Sequence, residues 1–344
     1  MSAATAANPA STVASAVRTS RRRWPAMGWV GAIVFGSLVL CCLVSLPYTV
    51  GSTMGSGGLP VRRYEAANLE LNLLPPSWWG TVPGERERLA AAAEAKVYLP
   101  GLALGTDRLG RDFLVRWLLG GSVSLAIGVS AAALSVLIGT LYGSIAGLAG
   151  PRTDAALMRI VDVLYGLPSV LLVVLIAVAA EGIVERAGAD LPVAVRQGIN
   201  VATLLAAIGG VSWLTTARII RGQVLSLRRQ PFLEACRATG LPWRRMFFRH
   251  LLPNLFAPIT VAATLAVPSA ILSESFLSFL GIGVREPLPS WGNLAADGLP
   301  ELNLVRSHWW LLVFPCLGIA GALLSLNFLG DAFRERFDPT RGRT

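Results

Sequence analysis

The sequence predicts an all-α polytopic membrane protein with six transmembrane helices and a long outer segment between the first and second. Three observations carry this. Only 15% of the 344 residues are charged, against about 25% in an ordinary soluble domain. Mean hydropathy is +0.58, and the apolar residues are gathered into blocks of spanning length rather than spread evenly. The basic residues, which give a net charge of +10, concentrate in segments that alternate crossing would leave on one side.

A helix rises about 1.5 Å per residue, so roughly 20 apolar residues cross the hydrocarbon core. Residues 1–26 form a polar tail read as disordered, and 27–46 the first span. Arg21–Arg23 before that span resemble a signal peptide. The apolar run is longer than a signal core of roughly 7–15 residues, and no small-residue cleavage site follows, so it reads as uncleaved. Residues 47–119 form the outer segment. Within it "LNLLPPSWWG" sets aromatic residues for a membrane interface, and "ERERLAAAAEAK" reads as a short polar helix. In "LGTDRLGRDFLVRWLLGG", Thr106 or Asp107 caps a short surface helix with Phe113, Leu114 and Trp117 toward lipid, or the stretch is a solvated turn.

A five-helix core occupies 120–330, and 331–344 is a polar tail. Its spans are 120–148, 157–180, 199–217, 255–280 and 309–329. In the first of these Gly139, Gly143 and Gly147 recur every fourth residue, a spacing that lets helix backbones approach closely. Asp162 stands near the start of the 157–180 span, where Arg159 or an interface is its expected partner, and Glu274 near the outer end of the 255–280 span. Acids at membrane depth face a polar path or a partner, so both are candidates for the translocation path or its gating. Pro168, Pro258, Pro268 and Pro315 fall inside spans, where proline kinks a helix.

Orientation follows from arginine, which supplies all but one of the 30 basic residues; Lys96 is the exception. Arg18, Arg21–Arg23, Arg152, Arg159, eight arginines in 218–252, and Arg334, Arg336, Arg341 and Arg343 share one side, whereas 181–198 and 281–308 carry two basic residues each. Both termini and the 218–252 loop are therefore expected in the cytoplasm. This placement assigns the positive charge to membrane lipid rather than nucleic acid. The four cysteines and the two histidines, His250 and His308, lack metal-ligand spacing, so neither a metal site nor a disulfide framework is expected.

The inner loop has local structure of its own. Pro231 suits a first helical turn, Gly240 suits the left-handed position that ends a helix, and Pro242 opens a second helix. That helix carries Arg244, Arg245 and Arg249 beside Trp243, Phe247 and Phe248, and Pro253 ends or kinks it before the next span. Such a mixed face fits either a groove on a partner protein or anionic lipid.

The spacing favours the partner. Glu234-Ala235, then Gly240, then Leu252-Pro253 resembles the cytoplasmic loop motif of ABC importer permeases, with Cys236 replacing the second alanine and His250 the isoleucine. "HLLPN", "LGTDRLGRDFLVRWLLGGSVSL", "MRIVDVLYGLPSVLL" and "ESFLSFLGIGVREPLPSWG" resemble the dipeptide and oligopeptide branch in the same order. The resemblance implies the ABC importer permease fold in a bacterial-type inner membrane, with peptides or similar small solutes as cargo. It further implies a homologous second permease subunit, two ATP-binding subunits carrying ATP and Mg, and an external solute-binding protein. Loop 218–253 becomes the coupling loop, with Glu234, Ala235, Arg237, Gly240, Leu252 and Pro253 in ATPase docking. Glu234 would supply a charge contact and Gly240 a close backbone approach.

Two other classes compete. An ion-gradient-driven secondary transporter would rest on Asp162 and Glu274 alone, and no inverted repeat flanks broken helices. An intramembrane enzyme finds no His-Glu-x-x-His motif, and the single lysine, Lys96, leaves no Walker A loop in this chain. No catalytic residue and no cofactor on this chain is therefore expected.

Overall fold

The computed structural model describes residues 25–55, 59–80, 83–94, 99–187, 192–302 and 307–337. The expectations for the N-terminal tail, Lys96, Arg306, Arg341 and Arg343 lie outside the described residues. Helix α1 (Ala26–Thr49) is followed by a hairpin of β1 (Ser52–Met54) and β2 (Pro60–Arg62), paired antiparallel with Thr53 opposite Val61, and by α2 (Pro83–Glu94). Then come α3 (Phe113–Leu148), α4 (Pro151–Tyr165), α5 (Ser169–Ala187) and α6 (Val193–Leu227). Short helices α7 (Pro231–Ala238) and α8 (Trp243–Met246) lead into α9 (Leu252–Phe279), and α10 (Trp291–Gly298) precedes α11 (Trp310–Phe337). Among the described residues five helices are long and apolar enough to cross a membrane, or six with the bent pair α4 and α5 counted as one span.

Small residues set the packing. A Cβ added at Gly139 would lie 2.5 Å from Thr216 Cβ, one at Gly147 2.6 Å from Val224 Cγ1, and one at Gly143 against the Ala217 carbonyl. The glycine row is thus the face on which α3 meets α6. In lipid, where apolar side chains gain nothing by leaving one solvent for another, such close contact is what holds helices together. The contacts rise in register along both helices, so α3 and α6 run parallel. The chain must return to the starting end between them, and α4 with α5 makes that return.

The third span departs from the expected single helix over 157–180. It bends by 85° between α4 and α5. Gly166 and Pro168 explain the break: proline has no N–H to give and pushes the preceding residue out of helical geometry, and a new helix restarts with Leu172 N–H on the Pro168 carbonyl at 3.1 Å. By contrast, Pro258, Pro268 and Pro315 lie within uninterrupted helices.

The second span also differs. It begins at Phe113 rather than 120, capped by Asp112 rather than Thr106 or Asp107; Asp112 Oδ1 accepts from Leu114 N at 3.0 Å and Val115 N at 3.3 Å. Phe113 is buried beside Leu294, Trp310 and Leu311 instead of facing lipid. The stretch is the first turn of a spanning helix, not a surface helix. Similarly α6 runs on to Leu227, so Arg218 and Arg221 stand on a helix and not in a loop.

The loop expected over 281–308 holds an inserted helix. Ser290 caps α10 through a reciprocal box with Asn293, and Trp291 is fully buried. A Cβ at Gly121 of α3 would lie 2.5 Å from the Trp291 ring, and one at Gly318 of α11 2.8 Å from it. Glycines on two spans make the slot this indole fills, and its Nε1 donates to the Trp117 carbonyl at 3.0 Å.

Candidate functional site

At the arginine-rich end, α7, α8 and the start of α9 build a knuckle. Pro231 occupies the first turn of α7, and Gly240 follows the C-cap Thr239 with φ of 68°. Leu241 N–H reaches the Cys236 carbonyl at 3.1 Å and Gly240 N–H the Arg237 carbonyl at 3.0 Å. These two bonds are the pair that closes a helix through a left-handed residue. The inward face carries Leu233, Cys236, Met246, Phe247 and Leu251, which pack on Ile220 and Val224 of α6 and on Leu255. The outward face presents Glu234, Ala235, Arg237, Gly240, Trp243, Arg244, Arg245, Phe248 and Arg249, all exposed. A Cβ at Gly240 meets nothing within 4 Å, so within this chain the need for glycine is conformational.

Pro253 does not break the knuckle from the span, as the sequence suggested. Residues Phe247–Leu251 form a π-helical turn, with Leu252 N–H on the Phe247 carbonyl. The wider turn absorbs the missing proline N–H, and Asn254 Nδ2 donates to the His250 carbonyl at 2.7 Å. Trp243–Phe279 is consequently one helical rod of 37 residues. Leu252 is half-buried and Pro253 exposed on it.

A cavity of about 440 Å³ lies at the elbow between α4 and α5, walled by α6 and α9. Tyr165, Pro168, Ser212, Thr215, Ser269 and Phe276 are among its lining residues. It is mostly apolar with hydroxyls spaced along it, a lining of the kind that accepts small molecules. The two acids chosen from sequence are not in its lining. Asp162 meets Arg218 Nη2 at 2.7 Å rather than Arg159. Glu274 is fully buried in a knot of hydroxyls: Ser278 Oγ donates to Oε1 at 2.8 Å and Ser275 Oγ lies 3.3 Å from Oε2. Ser124 of α3 and Ser290 at the start of α10 bond to it as well.

Sequence reasoning missed a charge cluster at the opposite end. Arg116 is fully buried, with Nη2 3.1 Å from Glu286 Oε1 and Nη1 3.6 Å from Asp107 Oδ2. Arg111 joins both acids, Nε to Asp107 Oδ2 at 2.6 Å and Nη2 to Glu286 Oε1 at 3.1 Å. Burial raises the Glu286 pKa, but the two guanidinia outweigh it and hold the carboxyl below its ordinary value. Asp297, half-buried nearby, is pushed up by its loss of solvent. The signal was present in "TDRLGRDFLVR" and "VREPLPSWG", but charges 170 residues apart in sequence give no local sign of pairing. Among the described residues no group of acids, histidines and cysteines is arranged to hold a metal.

Comparison with known proteins agrees with this architecture. Residues 139–343 match the family described as binding-protein-dependent transport system inner membrane component. The chain is 43% identical to the oligopeptide transport system permease protein OppC of Escherichia coli over 70% of this chain and 72% of that one. It is 41% identical to the dipeptide transport system permease protein DppC of Bacillus subtilis over 68% of each. It is 31% identical to the di/tripeptide transport system permease protein DppC of Pseudomonas aeruginosa over 91% of this chain and 88% of that one. The match covers the glycine row, the elbow, the knuckle and both of the last two spans, and with it this chain belongs to the binding-protein-dependent transport system inner membrane components.

Proposed function

We propose that this chain is one of two related permease subunits in an ATP-driven importer of peptides or similar small solutes. In this reading both termini and the knuckle are cytoplasmic. Two ATP-binding subunits carry ATP and Mg, and an external solute-binding protein delivers cargo to the opposite face. The relatives' names support a peptide as cargo, and the family description supports dependence on a binding protein. The chain itself performs translocation rather than catalysis.

The observation that carries the mechanism is the unbroken rod from Trp243 to Phe279. Its first turns belong to the exposed knuckle, and its far part walls the cavity through Ala262, Leu265, Ser269 and Phe276. A rod has no slack, so displacing the knuckle displaces the cavity wall. Closure of two ATP-binding subunits would push on the face carrying Glu234, Arg237 and Gly240, with Leu252 and Pro253 at the root of the rod. An ion-gradient transporter gains no support here, because Asp162 is engaged by Arg218 and Glu274 is sealed among serines.

The test is co-purification and uptake. The tagged parental chain should bring down nucleotide-binding subunits and support ATP-dependent uptake. Glu234→Ala with Gly240→Leu should reduce both by about tenfold or more, the loss expected when a central contact worth ~2 kcal/mol is removed. Parental levels of assembly and uptake in that variant would refute the docking role.

A further inference from the structure

The elbow is held to the rest of the molecule by polar ties. Val161 is the one fully buried residue of α4. Tyr142 of α3 donates its hydroxyl to the Leu157 carbonyl at 2.9 Å. Asp154 receives a fork from Arg221, with Nη2 2.6 Å from Oδ2 and Nε on Oδ1. Asp162 receives Arg218 Nη2 at 2.7 Å, and that same guanidinium lies 4.1 Å from the Tyr165 ring centroid. Both arginines stand on α6, one turn apart.

That stretch of α6 has a second load. Ile220 and Val224 form the floor under Leu233 of α7 and Met246 of α8. The knuckle and the elbow therefore grip the same two turns of one helix, from different sides. At the elbow, Leu164, Tyr165, Leu167 and Pro168 all line the cavity. Arg228 adds a tie at the same level, its Nη1 3.3 Å from the Gly147 carbonyl at the end of α3.

We propose that Arg218 and Arg221 are positioning residues that latch the α4–α5 elbow to the floor of the knuckle, so that movement of α7 and α8 shifts the cavity wall at Tyr165–Pro168. This rests on the importer reading above. The Arg218–Asp162 pair is well exposed, at 38% and 61% for the two side chains, and exposed ion pairs are individually weak. Weakness suits a latch that must release in each cycle. The fork on Asp154 is more sheltered, at 33% and 14%, and fixes where α4 pivots. Against an element with one buried apolar anchor, these pairs decide which of two positions the elbow takes.

The experiment is ATP hydrolysed per cargo molecule moved, in liposomes containing the full complex, with a radiolabelled alanine tripeptide as probe. Asp154→Asn with Asp162→Asn should leave the ATP-binding subunits attached and raise that ratio roughly two- to thirtyfold, the range found for residues that carry coupling. Asp154→Arg alone should raise the ratio too, and adding Arg221→Asp to it should bring the ratio back toward the parental value. A parental ratio in the double Asn variant overturns the latch. Hydrolysis and uptake falling together in either variant, at an unchanged ratio, also overturns it, because a merely structural pair would behave that way. A parental complex lacking ATP-binding subunits and tripeptide uptake overturns the importer reading, and the latch with it.

Discussion

Glu274 shows how a buried carboxylate is made tolerable. Three of its serines are relays: Ser124 Oγ accepts Trp291 N–H at 3.2 Å, Ser278 Oγ accepts Val284 N–H at 3.0 Å, and Ser290 Oγ accepts Asn293 N–H at 3.3 Å. With a lone pair occupied, each hydroxyl has its proton to give to the acid. The knot joins α3, α9 and the start of α10. Glu274→Leu should therefore destabilise the purified chain by roughly 1–3 kcal/mol for each hydroxyl left unpaired, whereas Glu274→Gln, which still accepts, should lose less. Thermal unfolding in detergent reads the difference, and equal losses would deny the relay. Gly240 separates two requirements. Its φ of 68° is open to asparagine but costly for leucine, by about 1–2 kcal/mol. If conformation is all that matters, Gly240→Asn assembles like the parent. If a partner's backbone must approach closely, Gly240→Asn fails as Gly240→Leu does. Glu286 has a pH signature. Its folded pKa is depressed by Arg111 and Arg116, so its stabilisation is complete above the unfolded value of about 4.3. It is lost as pH falls through the folded value. Parental protein should lose more stability on acidification below about pH 4 than Glu286→Gln; equal acid sensitivity would contradict this.

At the scale of elements, periodicity and proline placement located the spans well and their ends poorly. The 27–46 and 255–280 spans fall inside α1 and almost wholly inside α9, because a run of apolar residues says directly how much chain lipid can hold. The ends moved because capping is settled by geometry: Asp112 also accepts the Gly101 N–H at 2.8 Å, a loop contact with no local sequence sign. The break at Pro168 was in view as a kink but not as an 85° elbow, since four prolines looked equivalent and only this one follows a glycine two residues earlier. The knuckle was largely legible, because Pro231 and Gly240 act through local backbone rules. Its continuity with α9 was not, since the π-helical turn that accommodates Pro253 is a response to packing of Phe247 and Leu251. The inserted α10 escaped notice because its length, eight residues, is far below that of a span. For the glycine row, Gly143→Leu should separate α3 from α6 and lower the yield of folded protein sharply. A leucine at the exposed Gly36 of α1, where a Cβ meets nothing within 4 Å, should have little effect.

Across the whole molecule, two polar zones bracket an apolar bundle. One end holds the knuckle, the elbow and their arginines; the other holds α10 and the Asp107–Arg111–Arg116–Glu286 cluster. The parallel contact of α3 and α6 and the rod of α9 connect the two, and the cavity runs from the elbow at the first zone along α6 and α9 as far as Phe276 and Leu277, toward the tightly pinned one. That asymmetry suits a subunit whose movement is imposed from one side. The most direct measurement places a photo-crosslinking amino acid at Phe248, exposed on the knuckle, in cells making the full transport system. The account predicts a crosslink to a nucleotide-binding subunit that changes in yield when ATP is trapped. A crosslink only to lipid, or to proteins on the outer side of the membrane, would contradict it.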